Sequence, residues 1–217
     1  MDKGFQTFIF LILCLSTFHF SISQKQIPFS GELTYSIQRV DKEDSVRAEM
    51  IIYARDSLLR IVNFNSVSGR QELLKHLRLG KSYLLIETPK QKFAIRTNEH
   101  LEIDSIERYM FKKCLTFKKI AGLKAQKVKV KQREMKNELS FYVYKKIPSK
   151  YANAFTKLPG LPVIYFVPTD HGIYKYTLKS IKKTEPPMQL FSIGKEYKIV
   201  TFEEFTFEFS KLYESGD

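Results

Sequence analysis

The 217-residue sequence predicts a mainly β protein with a few helices, built on antiparallel strands. Three observations carry that reading. Apolar and polar residues alternate through much of the chain, turn signals separate the alternating runs at short intervals, and stretches of helical periodicity are few. Closely spaced strands with short turns make hairpins, whereas βαβ units need a long crossover between successive strands.

The elements follow in order. Leu33, Tyr35 and Ile37 alternate with Thr34, Ser36 and Gln38, the pattern of a strand with one buried face. Strands over 45–55 and 58–65 turn at Ala54-Arg55-Asp56-Ser57, and strands over 81–88 and 92–96 turn across Pro89-Lys90. Val128 and Val130 alternate with Lys127, Lys129 and Lys131; Phe141 and Val143 continue on the next strand, with Tyr142 and Tyr144 on its polar side. Strands over 161–167 and 173–181 pair across Pro168-Thr169-Asp170-His171-Gly172.

Helices are expected over 68–79, closed by Gly80, over 104–113 with Ile106, Tyr109 and Met110 on one side, and for a turn or two over 149–157 after Pro148. The last segment is ambiguous. Phe205, Phe207 and Phe209 alternate as in a strand, while Phe202, Phe205, Phe209 and Leu212 form a helical stripe. Thr201 with Glu204 three residues later is a capping box, which favours the helix.

Residues 1–23 read as a signal peptide. Lys3 supplies the positive start, 8–20 the apolar run, and Ser21 and Ser23 the small residues before a cut at Gln24. The run is shorter than the roughly 20 apolar residues that span a bilayer. Acylation at Cys14 would need a small residue before it, where Leu11-Ile12-Leu13 stands. The expectation is an exported protein, periplasmic or extracellular, with residues 24–217 as a single β-rich domain. Cys114 is the one cysteine beyond that cut, so no disulfide within the chain is expected. Beside Leu115 and Phe117 in a strand-like stretch, it is expected to be buried.

Charge is uneven. Of a net charge of +13, most sits in 112–150, where thirteen Lys or Arg meet two acids, Glu134 and Glu138. Lys127, Lys129 and Lys131 would stand on one strand face about 6.6 Å apart. Such a ribbon attracts lipid headgroups, hence peripheral membrane contact, or an acidic protein; its everyday role is a solvated face that guards a sheet edge. An exported chain with no recognisable nucleic-acid module is not expected to bind nucleic acid.

Catalytic chemistry finds no frame. His76, His100 and His171 are too far apart in sequence for a local metal motif, and Asp170-His171 lies in a turn. No CxxC, HExxH, P-loop or Gly-x-Ser-x-Gly is present. Neither an enzyme nor a metal or cofactor is expected.

Lys157-Leu158-Pro159-Gly160-Leu161-Pro162-Val163 resembles the signature of the GLPGLI family of exported Bacteroidetes proteins. Leu158 to Leu161 match; Lys157 and Pro162 stand where Gly and Ile are expected. Lys119-Ile120-Ala121-Gly122-Leu123-Lys124-Ala125 is similar to a strand turn of that family, and 191–198 to the segment before its last helix. The likeness spans about 110–210 and implies a curved antiparallel sheet or half-barrel, similar to periplasmic lipoprotein carriers. The family has no settled activity, and a fold transfers none. Pro159 and Gly160 would be structural, Gly160 supplying backbone freedom where a turn enters a strand.

Such a sheet would present a concave apolar face. Eighteen Phe and twelve Tyr without a Trp offer material for it, and Phe64, Phe93, Phe141, Phe166 and Leu178 are candidates for its lining, or for ordinary core. The expected function is non-enzymatic binding of a lipid or other amphiphile on that face, with lysines steering anionic heads. The alternative is a structural or interaction module that contacts an acidic envelope protein through Lys127, Lys129 and Lys131.

Overall fold

A computed structural model describes residues 28–41, 48–65, 69–97, 109–132, 138–152, 155 and 157–214. The first group of strands is β1 (Gly31–Arg39), β2 (Ala48–Arg55), β3 (Leu58–Asn65), β4 (Gly69–His76), β5 (Lys81–Glu87) and β6 (Lys92–Thr97). The second is β7 (Tyr109–Ile120), β8 (Leu123–Gln132), β9 (Leu139–Tyr144), β10 (Leu161–Thr169) and β11 (Gly172–Lys182). A short strand, β12 (Tyr197–Val200), and the helix α1 (Phe202–Glu214) complete the chain.

All twelve strands join one curved, unclosed sheet in the order β12-β6-β5-β4-β3-β2-β1-β11-β10-β9-β8-β7. Each group is a meander in which consecutive strands pair antiparallel, and β11 docks on β1 to join them, from Glu32 opposite Lys182 to Arg39 opposite Tyr174. After β11 the chain returns across the first meander. Arg55 donates to the Pro186 carbonyl at 3.0 Å and Arg60 to that of Leu190 at 2.9 Å. β12 then pairs parallel with β6 at the far edge.

The inner face carries the alternation seen in the sequence. Leu33, Tyr35 and Ile37 of β1 are buried with Ile52 and Met50 opposite on β2, and with Val128, Phe141 and Val143 across the curve. The chain fills this face itself. Ile147, Tyr151, Phe155 and Leu158 from the connection between β9 and β10 lie in the same core. Tyr151 Oη donates to the Asp56 carbonyl at 2.9 Å. Phe155 meets Phe141 and Tyr109 edge-on, with ring centroids 5.0 and 5.2 Å apart. Its φ of 62° is the left-handed conformation that costs a non-glycine residue about 1–2 kcal/mol, offset here by complete burial of the ring.

Most expected strands form as read, and the capping box forms: Thr201 N donates to Glu204 Oε2 at 2.8 Å, and Glu204 N to Thr201 Oγ1 at 3.2 Å. Three expectations are corrected. The stretch 68–79 holds the strand β4, not a helix: Leu73 faces the main core while Leu74 packs with Leu85 and Ala94 under Tyr83 and Ile193 on the other face. A strand covered on both faces has adjacent apolar residues and so mimics helical spacing. Tyr109 to Lys113 begin the strand β7, while 104–108 lie outside the described residues. Cys114 is half-buried, because a bulge turns this part of β7 outward. Of the expected helix over 149–157, one tight turn at Ser149–Tyr151 is seen. Residues 1–23 and His100 lie outside the described residues.

Candidate functional site

The bulge in β7 begins the candidate site. Lys113 sits opposite Val128 and Phe117 opposite Gln126, so Cys114, Leu115 and Thr116 together face only Lys127. The orphaned Cys114 carbonyl is taken by a side chain: Gln126 Nε2 donates to it at 2.7 Å. Gln126 is 6% exposed, and its Oε1 has no hydrogen-bond partner. A buried amide held by one end only is unusual, since buried polar groups are ordinarily satisfied. Beyond the bulge, Ala121 (φ 45°) and Gly122 (φ 78°) make a two-residue hairpin turn of the kind that needs positive φ at both positions.

That hairpin and the turn after β9 enclose a cleft of about 500 Å³, floored by Phe117, Leu123, Gln126 and Tyr144 and rimmed by Lys124, Lys145 and Lys146. Lys124 Nζ stands 4.9 Å from the Phe117 ring centroid. An adjoining cleft of about 290 Å³ shares Leu123, Tyr144 and Lys146 and adds Phe29, Ser30, Ile147, Ile181 and Lys183. Ser30 Oγ is buried without a partner. Lys124, Lys145, Lys146 and Lys183 have no acidic partner among the described residues. The two clefts thus share Leu123, Tyr144 and Lys146, and the unpartnered Gln126 Oε1 and Ser30 Oγ are buried in residues that line them.

The Leu158–Leu161 stretch supports this surface from behind. A Cβ on Gly160 would meet the Tyr144 carbonyl oxygen at 2.5 Å and Lys145 Cα at 2.7 Å. Leu161 N donates to the Ile147 carbonyl at 2.8 Å. Gly160 does not have a positive φ. Its role is therefore close approach of two backbones rather than the conformational freedom expected from the sequence, and the approach sets the turn that carries Lys145 and Lys146.

The expected lining residues do not share one surface. Phe141 and Leu178 are buried in the main core, and the half-buried Phe166 lies 6.0 Å from Phe141. Phe93 is buried in a separate cluster with Ile95 and Val200, its ring 5.2 Å from Phe205 of α1. Phe64 is 41% exposed near the end of β3. The expected basic row does share a face: Lys127 pairs opposite Tyr142, Lys129 opposite Ser140, and Lys131 opposite Met110. Lys129 is partly neutralised by Glu138 at 3.0 Å. Their hydrogen bond holds the Lys129 ammonium above its ordinary range and the Glu138 carboxyl below it.

Sequence reasoning missed Ser30, Lys124, Gln126, Lys145, Lys146 and Lys183 as a group. The Ala121-Gly122 turn and the Lys145-Lys146 pair were visible signals. Nothing local places Ser30 and Lys183 beside them. His171 lies in its expected turn, its N–H donating to Thr169 Oγ1 at 3.2 Å. Among the described residues no group of three His, Cys, Asp or Glu is placed to hold a metal.

No family model and no curated protein matches this chain. Among solved structures, PNGF-II in space group P21 is similar at 13% identity with a TM-score of 0.43, covering 83% of this chain and 33% of that one. The chain thus spans about a third of the length of PNGF-II. A likeness at that level assigns neither fold nor function.

Proposed function

We propose that this protein is a non-enzymatic binding protein of the cell envelope whose ligand is a lipid or other small anionic amphiphile, held in the lysine-rimmed cleft. The observation that carries the reading is the coincidence of four lysines without acidic partners among the described residues and an aromatic and aliphatic floor. A volume of about 500 Å³ falls in the range of sites that take small ligands. Apolar groups gain about 0.8 kcal/mol per buried CH₂. The lysines draw an anionic head inward. The inner face of the sheet is not the site in this reading, because an acyl chain there would have to expel Tyr151 and Phe155.

Native mass spectrometry of the mature protein, purified gently from its own envelope and followed by lipid extraction, tests the proposal. The expected result is added mass that extracts as a lipid, or uptake of offered lysophosphatidylglycerol. A Lys145→Glu/Lys146→Glu variant should bind it about tenfold or more weakly with unchanged thermal unfolding. A clean apo mass with no uptake sinks the reading.

A further inference from the structure

We infer that the outer edge of β7 docks an extended, acidic segment of another protein by strand addition. The run that receives the strand, Tyr109 to Lys113, contributes nothing to the lining of the ligand cleft, which β7 reaches only farther along, at Phe117. β7 ends the sheet: β8 pairs with one of its edges from Tyr109 to Ile120, and among the described residues no strand pairs with the other. An edge of this kind is a ready template for a further strand, which natural sheets suppress by keeping edges short, charged or bulged. β7 carries lysines and a bulge, yet it is twelve residues long and exposes large apolar side chains. Met110 is 62% exposed and Leu115 93%. Suppression alone has no use for an exposed methionine and leucine on one edge strand.

Charge selects the partner. Lys112, Lys113, Lys118 and Lys119 of β7 are all exposed, and β8 adds Lys124, Lys127, Lys129 and Lys131; neither strand contains an acid. Across the ladder Lys119 sits opposite Lys124, like charges directly opposed, and Lys112 opposite Lys129, whose charge Glu138 already offsets at 3.0 Å. Pairing β7 with β7 of a second copy would bring two such rows together. A strand bearing Glu or Asp on the face of Met110 and Lys112 offsets the lysines there and turns its alternate, apolar residues to the face of Phe111. The Gln126 bond to the Cys114 carbonyl pins the bulge and leaves 109–113 as a straight run for the incoming strand.

The test uses the full mature protein and a short blocked peptide of alternating Glu and Val. Two controls are a Lys/Val peptide and the Glu/Val peptide with N-methylated Val, which keeps charge and shape but loses backbone donors. The expected result is binding of the Glu/Val peptide with amide-exchange protection within 109–113, and binding about tenfold or more weaker for both controls. Lys112→Glu/Lys113→Glu should weaken it similarly, while the cleft variant Lys145→Glu/Lys146→Glu leaves it unchanged. Equal binding of the N-methylated peptide, or no protection of β7, overturns strand addition. A dimer that forms without peptide and dissolves in Leu115→Lys gives the edge to a second copy and overturns the acidic partner.

Discussion

Gly160 shows what a single residue does here and how little of it is visible locally. In a Pro-Gly pair it reads as a turn glycine, but its lack of a side chain matters because the Tyr144 and Lys145 backbone passes within 2.5–2.7 Å of where a Cβ would be. Backbone cannot rotate away as a side-chain tip can. Gly160→Ala should therefore cost about 2–3 kcal/mol, measured by urea unfolding, and should weaken ligand uptake by displacing Lys145 and Lys146. Gly122 is the contrast. Nothing lies within 4 Å of its would-be Cβ, and only its φ of 78° opposes a side chain, so Gly122→Ala should cost about 1–2 kcal/mol. A smaller loss at Gly160 than at Gly122 would refute the steric account. The two glycines look alike in sequence because one is limited by a contact made across some fifteen residues and the other by its own dihedral.

At the scale of elements, alternation identified strands wherever one face meets core and the other meets water. It failed at β4, where Leu73 and Leu74 are both covered, and it passed over β12, whose exposed Lys198 and Ile199 leave it almost no pattern. β12 is held partly by polar contacts. Tyr197 Oη donates to Glu87 Oε1 at 2.5 Å, and Lys92 Nζ lies 3.1 Å from the same oxygen. The Tyr197 hydrogen bond first, then Lys92, hold the Glu87 carboxyl below its ordinary range. Burial, then Glu87, holds the Tyr197 hydroxyl above the usual tyrosine range. Because the folded-state carboxyl is the stronger acid, its contribution is complete above the unfolded value of about 4.3 and is lost as pH falls through the depressed folded value. After correction for intrinsic exchange, amides of Tyr197–Val200 should open relative to β1 as pH falls below about 4.3. Glu87→Gln should abolish that dependence; if the variant keeps it, the carboxylate is not its source.

For the molecule as a whole, the seam between the two meanders decides whether they unfold as one. Tyr35 of β1 reaches past β11, donating to the Pro162 carbonyl at 2.9 Å and meeting the Tyr165 ring edge-on at 5.8 Å. Burial holds its hydroxyl far above the usual tyrosine range. Tyr35→Phe keeps the ring and removes the donor, so it should lower stability by about 1–2 kcal/mol while leaving a single transition by circular dichroism and tyrosine fluorescence. Two separated transitions would show that the meanders are independent. The same scale explains the relocated site. A curved sheet has an inner face to fill, and here Tyr151 and Phe155 fill it, so the clefts at the end of the sheet, not the inner face, offer accessible apolar surface beside the lysines.

The sequence by itself determined the mainly β class, the positions of most hairpins, the capped helix and the basic face shared by Lys127, Lys129 and Lys131 with Tyr142. These depend on neighbours within a turn, a hairpin or one period of a strand. Only the tertiary structure decided that Phe93 and Phe141 belong to different cores, that Gly160 presses on the Tyr144 turn, and that Ser30 and Lys183 stand beside Lys146. Each of those depends on which distant strands become neighbours when β11 docks on β1, and that pairing is settled by burial summed over the whole sheet rather than by any local pattern.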